Sequence, residues 1–205
     1  MMRVGVLVSG RGSNLAALLE DAGRPGAPYE IVVVLSNRPA APALERARAA
    51  GVMALAVERT ACGDRAAQHL ALLRTLRAQG VKLVVTAGFD QILLPEVVAA
   101  FPQRILNIHP SLLPAFAGTL HAQEAALAHG VKISGCTVHL VTTEVDSGPI
   151  VLQAAVPVHD DDTVASLSAR ILEQEHRLLP QAVRLMAEGR VKVVGRRTVT
   201  TGPGH

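Results

Sequence analysis

Aromatic side chains are nearly missing from this chain, which has no tryptophan, one tyrosine (Tyr29) and three phenylalanines (Phe89, Phe101, Phe116). A folded core must therefore be aliphatic, built from the Ala, Val and Leu that dominate a 49% hydrophobic composition. The same shortage argues against the base-stacking platforms that hold single-stranded nucleic acid. Cysteine is equally scarce. Cys62 and Cys136 lie far apart and in no CxxC or Cys/His spacing, so neither a disulfide framework nor a zinc site is expected, and both read as free thiols. Long apolar runs are missing too: no stretch of about 18 residues is purely apolar, and no charged segment followed by a signal-type run opens the chain. It reads as a soluble, cytoplasmic protein with no membrane partner.

Charge is close to balanced, 20 basic against 17 acidic residues, with part of the excess in Arg190, Lys192, Arg196 and Arg197. That favours a small anionic ligand over nucleic acid. A length of 205 residues suits one large α/β domain with a sizeable core.

What is present is an alternation. Arg3 to Ser9 is a near-continuous apolar run of strand length, as expected of a strand covered on both faces. Gly10-Arg11-Gly12-Ser13-Asn14 then opens a helix that ends before Gly23. Strands over Ile31 to Leu35, Val52 to Val57, Val81 to Thr86 and Arg104 to Ile108 alternate with helices over Ala41 to Ala50, over Asp64 to Gln79 and from Pro95. This repetition predicts a Rossmann-like, mostly parallel twisted sheet with right-handed crossovers and helices on both faces. After a helix around Ala122 to His129, the strands Ile133 to Val141 and Pro149 to Val158 lie within hairpin distance, so the sheet should finish antiparallel. Asp162-Thr163 can cap a long helix running to about Glu188, which Pro180 should kink or divide. Val191 to Val194 reads as an edge strand and Thr198 to His205 as a loose tail. Ligands in such sheets bind beyond the carboxyl ends of the strands, which predicts one rim for Gly12, Phe89 and Asn107.

Three polar groupings invite chemistry. Gly12, Ser13 and Asn14 open a helix whose first N–H groups and dipole suit a phosphate, although a lone Gly-x-Gly can equally be a structural turn. Leu15 stands where a dinucleotide fingerprint wants its third glycine, and the second strand ends in Ser36-Asn37-Arg38 rather than an acidic residue, which disfavours a nicotinamide cofactor. Asn107 and His109 are two residues apart on a strand and leave it on one face. Each has a bland reading, a turn-fixing asparagine and a histidine satisfied by backbone, and Asp146 before Ser147-Gly148-Pro149 can be a simple turn former. Taken together they form a chemical set: an amide donor for a developing oxyanion, an imidazole that exchanges protons near neutral pH, and a carboxylate that orients it. No serine or cysteine nucleophile is paired with them, so direct transfer to an external nucleophile is expected.

At these residues the chain resembles the phosphoribosylglycinamide formyltransferases. The resemblance runs from about Val4 to Val194 and is carried by Ser9-Gly10-Arg11-Gly12-Ser13-Asn14, Ala87-Gly88-Phe89, Asn107-Ile108-His109-Pro110-Ser111-Leu112-Leu113-Pro114, Gly135-Cys136-Thr137-Val138-His139, Val145-Asp146-Ser147-Gly148-Pro149 and Gln174-Glu175-His176. It implies a formyltransferase fold in a single domain, 1–195, with a phosphate-binding half (1–100), a catalytic and folate-binding half (101–195) and a flexible tail (196–205). It implies a catalytic centre of Asn107, His109 and Asp146, and substrate phosphate on Gly12, Ser13 and Asn14 with ribose on Glu175. For 10-formyltetrahydrofolate as co-substrate it implies Arg65, Phe89, Asp90, Gln91, Ile92, Leu93 and Asn107, largely through backbone groups. The partners implied are glycinamide ribonucleotide and the folate, without metal or nucleic acid, in a monomer or homodimer.

Two departures stand out: Asp90-Gln91 replaces the family's usual methionine-arginine pair, and Gly118-Thr119-Leu120-His121 carries an apparent one-residue insertion that leaves the role of His121 open. His139 reads as a satisfied core histidine, and His176 as a helix residue or a partner of Glu175. Competing readings are a 10-formyltetrahydrofolate hydrolase, expected to carry a further regulatory domain; a methionyl-tRNA formyltransferase, expected to carry a nucleic-acid-binding one; and a nucleotide or NADP module with Arg38 at a 2′-phosphate.

Overall fold

The computed structural model describes residues 1–202 and divides into two compact units, Met1–Leu106 and Asn107 onward. The first unit runs β1 (Met2–Val8), α1 (Ser13–Ala22), β2 (Tyr29–Ser36), α2 (Pro42–Ala49), β3 (Met53–Ala56), α3 (Arg59–Cys62), α4 (Arg65–Ala78), β4 (Leu83–Thr86), α5 (Pro95–Ala100) and the start of β5 (Ile105–His109). Its strands stand in the order β3-β2-β1-β4-β5, with β1 parallel to both β2 and β4, and β2 parallel to β3. Val4, Val6, Leu7, Val8, Val33 to Leu35 and Leu83 to Val85 are all buried, the result expected where helices cover both faces of a sheet. Each such side chain contributes about 1.5–3 kcal/mol by leaving water, and this replaces the missing aromatic bulk.

Gly12 shows why the first loop needs its second glycine. Its φ of +74° is left-handed, and a Cβ there would stand 2.6 Å from the Ala43 Cβ. Backbone conformation and the close approach of α2 therefore make the same demand.

The second unit holds the rest of β5, then α6 (Ala122–Ala128), β6 (Ile133–Leu140), β7 (Ile150–Pro157), α7 (Val164–Ala187), β8 (Val191–Val194) and β9 (Arg197–Thr200), with strand order β5-β6-β7-β9-β8. β6 and β7 form the expected antiparallel hairpin, and β8 and β9 form a second. The fold is thus a mixed sheet, mostly parallel, with antiparallel strands toward the C-terminus.

α7 begins where the sequence places it. The Thr163 hydroxyl accepts from the Ser166 N–H at 3.1 Å while the Ser166 hydroxyl accepts from the Thr163 N–H at 2.9 Å, a reciprocal cap of the kind worth about 1 kcal/mol. Asp162 adds a two-pronged pair with Arg170, at 2.8 and 2.9 Å.

Two expectations are corrected here. Pro180 does not divide the helix, which runs through it. Proline removes a single backbone bond, and the buried stripe Leu167, Ile171, Leu178, Leu179, Ala182, Val183 and Met186 holds both sides of it. Nor are residues 197–200 a loose tail: they form β9, paired with β8 from Val191↔Thr200 to Val194↔Arg197 and with β7 at Ile150↔Arg197. The two-residue turn at Gly195 (φ +60°) and the β-branched Thr198-Val199-Thr200 are hairpin signals of modest strength. The end of the expected tail, 203–205, lies outside the described residues. Among the described residues no helix is long and apolar enough to cross a membrane.

Candidate active site

β5 carries buried Ile105, Leu106 and Ile108 between its polar positions, so Asn107 and His109 leave it on one face. The chain then turns sharply, with a cis peptide at Leu113-Pro114. Thr137 of β6 fastens this turn: its hydroxyl donates to the Ser111 carbonyl at 2.7 Å and accepts from the Leu113 N–H at 3.0 Å. Gln153 of β7 adds a bond to the Leu113 carbonyl at 3.1 Å and one to the Thr137 hydroxyl at 2.9 Å. The prolines shape the turn, and the hairpin holds it.

His109 is buried between two acceptors. Its Nε2 lies 3.0 Å from the Phe116 carbonyl and its Nδ1 3.4 Å from Asp146 Oδ2, the latter an ion-pair contact longer than a good hydrogen bond. An imidazole with a proton on each nitrogen satisfies both neighbours. Both partners sit on left-handed backbone, Phe116 at φ 55° and Asp146 at φ 50°. Aspartate tolerates that region better than most residues. Asp146 Oδ2 also accepts from the Gly118 N–H at 2.9 Å, which ties in the segment carrying the apparent insertion.

The fourth member of the cluster is His139, and here the sequence reading falls short. His139 is buried, as a core histidine should be, but its Nε2 stands 3.1 Å from the Asn107 amide nitrogen and 3.5 Å from Asp146 Oδ1. Its Nδ1 is 3.1 Å from the Leu140 carbonyl. The pairing of β6 with β7 shifts register between Val138 and His139, an irregularity of the sort that re-aims side chains beside active sites. One signal was available. Thr137 and His139 are two polar residues, two apart, on an apolar strand, the same pattern that singled out Asn107 and His109.

Burial alone would raise the Asp146 carboxyl, but the bonds from His139 and the Gly118 N–H and the charges of His109 and His139 outweigh it, holding the group below the ordinary carboxylate range. The unfolded chain therefore binds this proton more readily than the native one. The stability that Asp146 contributes is complete above the unfolded value of about 3.9 and is lost as pH falls through the lower native value. We expect the difference in thermal midpoint between wild type and Asp146→Asn to shrink steadily as pH falls from about 5 to below about 4. A difference that stays constant to the lowest pH at which both proteins fold would contradict this charge arrangement.

Cys136 is no hidden nucleophile. Burial, then the charge of Glu175, push its thiol up to about 12. His121 stays outside the cluster, exposed and paired with Glu124 at 3.3 Å. Glu175 lies on the buried face of α7, and burial lowers the pKa of the neighbouring His176. Among the described residues no group of three or more His, Cys, Asp or Glu side chains is placed to hold a metal ion.

The remaining candidates lie in the first unit. Gly12 caps α1, so Ser13 and Asn14 occupy its first turn, where backbone N–H groups have no partner within the helix. Leu15, in the place of a third glycine, is fully buried. The Arg65 guanidinium donates to the Ile92 carbonyl, Phe89 is half-buried, Leu93 is buried and Ile92 is exposed. Asp90 and Gln91, the departing pair, both turn their side chains to protein partners: Asp90 to Ser9, Asn37 and Arg38, Gln91 to His69.

An amide and a carboxylate, each half-buried, in contact with two buried imidazoles can stabilise a developing oxyanion and move a proton, chemistry suited to an enzyme that transfers a group. The chain belongs to the formyl transferase family, which its residues 2–183 match. It is similar in structure to glycinamide ribonucleotide transformylase 1 from Symbiobacterium toebii, with a TM-score of 0.96 and 53% identity over 98% of this chain and 95% of that one. It is 40% identical over 192 residues to the phosphoribosylglycinamide formyltransferase of Escherichia coli K12, covering 94% of this chain and 90% of that one. It is also 43% identical over 192 residues to the trifunctional purine biosynthetic protein adenosine-3 of Gallus gallus, of which it spans 19%.

Proposed function

We propose that this chain transfers the formyl group of 10-formyltetrahydrofolate to the primary amine of glycinamide ribonucleotide, a step of de novo purine biosynthesis. The observation that carries the reading is the run of contacts from half-buried Asn107 through buried His139 and half-buried Asp146 to buried His109, at 3.1, 3.5 and 3.4 Å. In this reading the substrate amine attacks the formyl carbon and negative charge develops on the formyl oxygen. The Asn107 amide and protonated His109 stabilise that oxygen. As the bond from the formyl carbon to N10 of the folate breaks, the proton lost by the amine reaches N10 through His109 or a water held by Asp146, and tetrahydrofolate leaves.

Binding roles follow from the same reading. Gly12, Ser13 and Asn14 take the phosphate at the start of α1, and Glu175 takes the ribose hydroxyls. Arg65, Phe89, Asp90, Gln91, Ile92 and Leu93, with Asn107, receive the folate. A formyl-transfer assay with 10-formyltetrahydrofolate, run with and without glycinamide ribonucleotide, tests it. Tetrahydrofolate release that depends on the ribonucleotide is expected. Equal release without it would overturn the transferase and leave a hydrolase.

A further inference from the structure

Asp90 carries a charge where the resemblance leads one to expect an apolar side chain, and the structure shows where that charge goes. Its Oδ1 accepts from the Asn37 amide at 2.8 Å and lies 2.9 Å from the Ser9 hydroxyl, while its carboxylate pairs with the Arg38 guanidinium. Its own N–H donates to the Ser9 hydroxyl at 3.0 Å. Ser9 follows β1, Asn37 and Arg38 follow β2, and Asp90 follows β4, so one carboxylate ties the loops beyond three neighbouring strands. Burial would raise the Asp90 carboxyl, but the bonds from Asn37 and Ser9 and the charge of Arg38 outweigh it, so the clasp is ionised throughout the neutral range.

The other end of the same segment is held by α4. The His69 Nδ1 accepts from the Leu94 N–H at 3.1 Å, its Nε2 lies 3.2 Å from Gln91 Oε1, and Arg65 holds the Ile92 carbonyl. Residues 90–94 are therefore fixed at both ends by side chains, with their backbone set before any ligand arrives. The Gly10–Gly12 turn has separate supports. The Gly10 carbonyl accepts from the Ala43 N–H at 3.2 Å, the Arg11 carbonyl from the Arg46 guanidinium at 3.0 Å, and the Gly12 carbonyl from the Ala16 N–H at 2.9 Å.

We propose that Asp90 is a positioning residue that presets segment 90–94 for the folate through Ser9, Asn37 and Arg38, and that it sets folate affinity without setting affinity for the phosphate-bearing substrate. The proposal rests on the reading that 89–93 receive the folate. Ordering a free loop on binding subtracts from affinity, so releasing the clasp weakens the folate alone.

Isothermal titration of the full chain with tetrahydrofolate and, separately, with glycinamide ribonucleotide tests this. For Asp90→Ala the tetrahydrofolate Kd is expected to rise about 10-fold or more while the ribonucleotide Kd stays within about twofold. Arg38→Met, which removes only the ion pair, is expected to give a smaller rise, and adding it to Asp90→Ala no further rise. A tetrahydrofolate Kd unchanged in Asp90→Ala, or both Kd values rising in parallel, would overturn the proposal. If Asp90→Ala fails to fold, Asp90→Asn and Arg38→Met carry the same comparison. Wild-type protein that binds no tetrahydrofolate would instead sink the functional reading, before any variant is made.

Discussion

Alanine at Asn107 or at His109 is expected to lower turnover by roughly 10²-fold or more while leaving the protein folded. The argument is electrostatic. A formyl oxygen gains negative charge as the amine attacks, and a preorganised donor in a water-poor site stabilises that charge far more than it stabilises the neutral carbonyl. His109 is set for this by Asp146 on one nitrogen and the Phe116 carbonyl on the other, and Asn107 by its bond to His139. Truncation removes the donor and leaves its former partners in place, so the loss should fall on kcat more than on KM. Steady-state kinetics on both variants, with circular dichroism to confirm folding, provide the measurement. Near-normal turnover in both would remove these residues from the chemistry.

How much of the fold and the site is legible in the sequence depends on the range of the interaction. The strands of the first unit were readable because a parallel strand covered on both faces must be apolar almost throughout, and Val4 to Val8 and Leu83 to Val85 are. Asn107 and His109 were readable because alternation along one strand fixes their common face. His139 was not placed, because its role depends on a neighbouring strand and on a register shift, neither of which is local in sequence. β9 escaped for a milder reason: four residues behind a Gly-Arg turn carry little periodicity, and that turn and the β-branched side chains are signs of modest strength. Asp146 is legible by its chemistry, but what aims its carboxylate is a left-handed φ and a bond from Gly118, features that belong to the folded loop.

That loop is also where a single methyl group should do most damage. A Cβ at Gly148 would stand 1.8 Å from the Leu140 carbonyl oxygen and 2.9 Å from its carbon, both backbone atoms that no side-chain rotation can move away. The Leu140 N–H meanwhile donates to the Pro149 carbonyl at 2.9 Å, so the two segments cannot separate without losing a β6 contact. Gly148→Ala is therefore expected to cost about 3–5 kcal/mol, at the upper end for a single substitution. For a chain of this size that corresponds to a fall in Tm of about 10 °C. Turnover should fall with it, because the displaced carbonyl is the one that holds His139 Nδ1, and Asp146 lies two residues before the added methyl. Gly202→Ala serves as control, since a Cβ there meets nothing within 4 Å. A Gly148→Ala protein that melts with the control would show that Leu140 can move aside cheaply. The hairpin would then be a looser support for His139 and Asp146 than its packing implies.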